Sequence, residues 1–210
     1  MSDLESALRK IVTSVSNASG LAGAGSGEAD LRERVLKSVS ARGKASVCVL
    51  FSGPSFAQAK VLLTERSQAV ATHAGQVAFP GGLNELEDGG DPAITAFREC
   101  EEEVGISRAV PKALGILPPF PTMTGSFEVT PVVAVVSADV PALPFRFSEE
   151  VTAAEWVSIA ELRRARKEET RSVSGIEIRA PYFMWGERKM WGLSAWIFDF
   201  ILNRYDTIGE

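Results

Sequence analysis

The segment from Asp91 to Gly105 constrains the fold of this 210-residue chain more than any other stretch. Asp91-Pro92 is a strong helix start, with Asp as N-cap and Pro at the first helical position. Gly105 is suited to end the helix in a left-handed conformation. Between them Ala93, Phe97, Cys100 and Val104 recur at spacings of 4, 3 and 4 and share one face. Glu99, Glu102 and Glu103 stand at i, i+3 and i+4 on another face. Like charges at this spacing cost about a few tenths of a kcal/mol per pair. The acidic face is therefore either a solvated surface or a cluster that a cation holds. Arg98, four residues before Glu102, is placed to orient that carboxylate. Pro80-Gly81-Gly82 precedes the segment as a loop that can expose carbonyls. Hard divalent cations such as Mg2+ take oxygen ligands of this kind and keep several waters.

Charge is concentrated in the same place. Asn84 to Glu103 holds eight carboxylates and one base, a net −7 in a chain whose total is −5, so the remainder is +2. That balance gives no footprint for nucleic acid or for an anionic membrane surface. Apolar residues at 45% and charged residues at 23% fit a folded globular chain, and the length suits one domain or one domain with a short appendage. Cys48 and Cys100 make neither a disulfide framework nor a metal-ligand spacing. Cys48 lies in an apolar run and reads as a buried thiol, which favours the cytoplasm or another reducing intracellular compartment. The acidic start Met-Ser-Asp-Leu-Glu is wrong for a secretory signal, and no apolar stretch is long enough to span a bilayer.

The order of elements is mixed. Ser2-Asp3-Leu4-Glu5 reads as a capping box, and Leu4, Leu8, Ile11, Val12 and Val15 follow as an amphipathic helix. Gly20–Gly27 reads as a link and Asp30–Ser38 as a second short helix. Residues 1–41 are thus an N-terminal helical segment and linker, free either to pack on the domain or to mediate a homodimer, and 42–205 form the domain. Ala45–Phe51, Lys60–Thr64, Gln76–Phe79, Glu128–Ser137, Ala154–Val157 and Ile176–Phe183 read as strands. Ile159–Lys167 and Trp191–Asn203 read as helices. The class is α/β or α+β.

With these elements in place, Gly82, Asp88 and the run Arg98-Glu99-Cys100-Glu101-Glu102-Glu103-Val104-Gly105-Ile106 closely resemble the Nudix box. That loop–helix–loop belongs to hydrolases of nucleoside diphosphates linked to another moiety. The flanks are similar to coenzyme A pyrophosphatases. They are Leu62-Leu63-Thr64-Glu65-Arg66-Ser67, His73-Ala74-Gly75-Gln76-Val77-Ala78-Phe79-Pro80-Gly81-Gly82, Leu117–Thr122, Val129–Val133, Glu149-Glu150-Val151 and Met190–Ala195. The chain departs from the pattern in several places. Asp88 stands where the general box has Glu, the interval to Arg98 is longer, Ala71 and Leu83 stand where bases are common, and Glu85 where Asp is common.

The resemblance implies a Nudix fold, a mixed sheet sandwiched between helices. It implies Mg2+ or Mn2+ held by Glu99, Glu102 and Glu103 with the Gly81 or Gly82 carbonyl. It also implies hydrolysis of the pyrophosphate bond of coenzyme A or acyl-coenzyme A, giving 3′,5′-ADP and (acyl-)4′-phosphopantetheine. ADP-ribose, nucleoside-diphosphate sugars and other nucleoside diphosphate derivatives are the alternative substrates. A ligand-binding module without catalysis is a further alternative, weakened by the presence of all three glutamates. The general base is Glu102, or Glu149 or Glu150 from a distant segment. Arg98 supports its neighbours. Arg66 either contacts a phosphate or ends a strand. His73 either orders the loop or touches substrate, and Gln76 either bonds substrate or ties strand to loop. Trp191 and Trp196 favour core packing. Arg188-Lys189 is a basic pair that can meet a 3′-phosphate or sit in a solvated turn.

Overall fold

The computed structural model describes residues 2–16, 43–68, 75–122, 126–137, 144–173 and 176–208. The expected link at 20–27 and helix at 30–38 lie outside the described residues, as does His73.

Four α-helices are present among the described residues: α1 (Asp3–Ser16), α2 (Pro92–Val104), α3 (Ile159–Arg164) and α4 (Gly192–Ile208). The strands are β1 (Gly43–Ser52), β2 (Lys60–Arg66), β3 (Val77–Ala78), β4 (Gly81–Leu83), β5 (Lys112–Ile116), β6 (Phe120–Pro121), β7 (Phe127–Val135), β8 (Val151–Ser158), β9 (Arg166–Val173), β10 (Ile176–Trp185) and β11 (Arg188–Met190). They join one mixed sheet in the order β5-β7-β1-β2-β3-β11-β10-β9, with β4 on β1, β6 on β7 and β8 on β2. Two pairings are parallel, β1 with β7 and β3 with β11.

Strand alternation splits the core into two layers. Val49, Phe51, Val61 and Leu63 point to one side of the sheet, where they meet Leu4, Leu8 and Ile11 of α1 and Ile197, Phe198 and Ile201 of α4. Cys48, Leu50 and Leu62 point to the other side and meet Ala96, Cys100 and Val104 of α2. The sheet is therefore sandwiched between α1/α4 and α2. The helical part of the N-terminal segment packs on the domain. Ser2 Oγ accepts the Glu5 N–H at 3.2 Å, as a cap should, but the Glu5 carboxylate turns to Arg9 and Lys112 and does not close the box. Leu8 is fully buried. Leu8→Ala is expected to cost about 2–5 kcal/mol, read as a lower urea midpoint. A change under about 1 kcal/mol would mean that α1 is not docked in solution.

Two expected readings are corrected. Gly81-Gly82 is not an open loop but the start of β4, paired with Val47 and Ser46 of β1. The helix at Ile159 stops at Arg164, and Lys167 lies in β9. Ser158 caps its start by accepting the Glu161 N–H at 3.4 Å. Beyond Ala165 the chain extends and pairs with β10 over its whole length. No apolar alternation marks Arg-Lys-Glu-Glu-Thr-Arg-Ser-Val as a strand, because it is a charged edge with few side chains to bury. Among the described residues, no helix is long and apolar enough to cross a membrane.

Candidate active site

The acidic helix forms as its caps dictate. Asp91 accepts the Ala93 N–H at 2.8 Å, and Gly105, at φ 77°, donates to the Glu101 carbonyl at 2.9 Å. Its buried side is wider than the apolar pattern implies: Thr95, Arg98 and Glu103 are buried along with Ala96, Cys100 and Val104. Only part of the acidic cluster therefore faces water. The Glu102 side chain is 52% exposed, Glu99 16% and Glu103 6%.

Arg98 is the organiser of this region. Its guanidinium donates to both oxygens of Asp88 at 3.1 Å, to Glu99 at 2.9 Å, to Glu102 at 3.2 Å and to the Leu83 carbonyl at 2.9 Å. The expected Glu102 contact is present, but Asp88 is the larger partner and was not expected from spacing along the helix. Asp88 is buried and also accepts from the Glu85 N–H and the Thr95 hydroxyl. The Arg98 guanidinium holds its carboxyl well below the usual range against the opposing effect of burial. One arginine thus ties the loop before α2 to the helix and fixes two of the three glutamates.

Glu103 faces the sheet. Burial pushes its carboxyl up to about 8, partly offset by Arg66 and reinforced by Glu99. Arg66, at the end of β2, lies 3.5 Å from Glu103 and 2.9 Å from Glu150. A register shift between Glu65 and Arg66 opposite β8 accompanies this placement, as bulges commonly re-aim a side chain beside a site. Glu150 thus enters the site through Arg66. No hydrogen bond or ion pair joins Glu149 to it among the described residues. Burial likewise raises Glu99, which packs under the Gly82 backbone. Gln76 sits beside this group, its carbonyl accepting the Arg66 N–H at 3.0 Å.

Two observations fit a divalent cation here. Glu103 Oε2 is buried without a hydrogen-bond partner, a costly state for a carboxylate unless a cation completes it. Gly82 leaves room that a Cβ would fill, since it would lie 2.3 Å from Glu99 Oε1. Among the described residues, no three carboxylate, imidazole or thiol groups are yet gathered closely enough to hold an ion.

A short glycine strand leading into a capped acidic helix, with Glu99 packed against Gly82 and Arg66 of β2 beside Glu103, defines the class of domain to which this site belongs. The chain belongs to the Nudix family: the NUDIX domain model matches residues 42–174. It is 46% identical over 98 residues to the Nudix hydrolase NudL of Escherichia coli K12, covering 46% of this chain and 48% of that protein. The chain thus spans about half the length of the curated relatives it matches. The fold is similar to a MutT/Nudix family protein from Enterococcus faecalis (TM-score 0.51, 18% identity, 79% of this chain and 62% of that one). It is also similar to a MutT protein from Methanosarcina mazei (TM-score 0.51, 19% identity, 80% and 95%).

Proposed function

We propose that this chain hydrolyses the pyrophosphate bond of coenzyme A or acyl-coenzyme A, releasing 3′,5′-ADP and (acyl-)4′-phosphopantetheine. The observation that carries a hydrolytic site is the buried, partnerless oxygen of Glu103, one turn from Glu99, whose carboxylate packs against Gly82. The coenzyme A reading is supported by the run from Leu62 to Gly82 and by the later segments that resemble that subfamily.

Glu99, Glu102 and Glu103 are the residues that would hold Mg2+ or Mn2+, with the Gly81 or Gly82 carbonyl of β4. Such an ion neutralises diphosphate oxygens and activates a water for attack on phosphorus. The protein's own part is to orient and to move a proton. Arg98 holds Glu99 and Glu102 in place, while Arg66 adds positive charge toward the diphosphate. Glu102 is the most exposed of the three, so it can accept the proton of the attacking water. Glu150 is the second candidate, and it is held by Arg66 at 2.9 Å.

A second reading, ADP-ribose or a nucleoside-diphosphate sugar as substrate, is favoured by one observation. Leu83, at the end of β4, is 53% exposed, and it stands where a base is common and would meet a phosphate. Purified chain should cleave coenzyme A in Mg2+ and lose that activity in EDTA, with products resolved by chromatography. Cleavage of ADP-ribose with none of coenzyme A would move the assignment to the second reading. No metal-dependent cleavage of coenzyme A, ADP-ribose or a nucleoside-diphosphate sugar would leave only a binding module.

A further inference from the structure

We propose that Lys189 and Arg171 form a subsite for a phosphate monoester on the nucleotide half of the substrate. The inference deepens the coenzyme A reading and rests on it for the identity of the ligand. It starts from strand alternation. Arg188 and Lys189 are adjacent, so β11 sends them to opposite faces of the sheet. Arg188 joins Glu65 at 2.6 Å and covers the Trp185 ring at 4.7 Å, on the side where Trp185, Phe183 and Met190 pack with α4. Lys189 points to the other side, the one that carries α2 and Arg66.

The strand order then fixes how far Lys189 lies from the glutamates. β3 runs between β2 and β11, with Val77 paired to Glu65 on one edge and to Met190 on the other. Arg66, Gln76 and Lys189 are therefore neighbours in one row across three strands. Two strand spacings put Lys189 roughly 10 Å from Arg66. A ribose that carries the diphosphate at one carbon and a second phosphate at another bridges such a gap once the side chains lean in.

The cations at that end of the row are held ready. Lys189 bonds Glu169 at 2.5 Å and lies 4.2 Å from the Tyr182 ring centroid. Arg171 bonds the other Glu169 oxygen at 2.6 Å and lies 4.2 Å from the Trp191 ring centroid. Two cations share one carboxylate, leaving a net positive charge, and each is backed by an aromatic face that restrains it. Both side chains remain about a third exposed, 34% and 27%, so an incoming anion can reach them. These two bases are charges that the sequence lacks at Ala71 and Leu83.

The test compares 3′,5′-ADP with 5′-AMP in direct binding by calorimetry, without metal. Wild type is expected to bind 3′,5′-ADP at least tenfold more tightly than 5′-AMP. Lys189→Ala and Arg171→Ala should each erase most of that ratio. Glu169→Gln should raise it, because the competing carboxylate charge is gone, and a merely structural ion pair would not respond that way. Equal affinity for the two nucleotides in wild type, or a ratio that survives both alanine variants, would overturn the subsite even if coenzyme A is cleaved. A high ratio in a chain that does not cleave coenzyme A would retain the subsite and reject the substrate assignment.

Discussion

Glu103→Gln should lower Mg2+-dependent turnover on the order of 100-fold or more and leave thermal stability unchanged or slightly raised. Both halves come from the same geometry. The Glu103 carboxylate is buried, and burial outweighs the pull of Arg66, so its ionised form is disfavoured in the fold. One of its oxygens has no partner. A neutral amide of the same shape removes the desolvation cost of the charge and keeps one oxygen for Arg66. What it cannot do is act as an anionic ligand. A residue retained at a cost to stability and needed for turnover has the signature of a functional group. Turnover within about tenfold of wild type would remove Glu103 from the metal site, and a large fall in the melting midpoint would make it a structural residue instead.

The part of the site that was legible in the sequence is the part that is local. Asp91-Pro92 and Gly105 marked both ends of α2, and Glu99, Glu102 and Glu103 were found by spacing alone, because helix geometry relates neighbours three and four apart. Partners that come from other strands were not legible. Asp88 was seen as a departure from a pattern, not as the main partner of Arg98. The pairing of Arg66 with Glu103 and Glu150 needs the β2–β8 register, with its irregularity at Arg66. Burial of Glu103 depends on where the sheet crosses the helix, which no helical wheel contains. The same limit explains the missed strands. β4, β6 and β11 are two or three residues long, too short for a period of two to declare itself. β9 is a charged edge. Arg188-Lys189 looked like a turn because alternation on a three-residue strand is invisible until its neighbours are known.

Asp88→Asn is expected to destabilise the fold by about 3 kcal/mol, the lower end of the range for breaking a buried ion pair. The lower end applies because Arg98 keeps Glu99 and Glu102 as partners. The change is nearly isosteric, so volume is not the cause. Asp88 Oδ2 accepts from the Glu85 N–H, the Thr95 hydroxyl and Arg98, while Oδ1 accepts from Arg98 Nε. Asparagine supplies one acceptor oxygen and sets its amide donors against the remaining donors. For a chain of this size the melting midpoint should fall by about 6–12 °C. The pH dependence has a definite sign. The Asp88 carboxyl is held below its ordinary value in the fold and returns to about 3.9 when unfolded. Its contribution is therefore complete above the unfolded value and is lost as pH falls toward the folded one. Urea unfolding of wild type and variant should show the full stability gap at pH 7 and a smaller gap at pH 3. A gap that is constant between those pH values would mean that shape, not charge, is what Asp88 contributes. A gap near zero at pH 7 would remove Asp88 as the lock on Arg98. Because Arg98 also holds Glu99 and Glu102, loss of that lock should reach the site as well. The variant's remaining folded fraction should turn over more slowly than wild type at a temperature where both are folded.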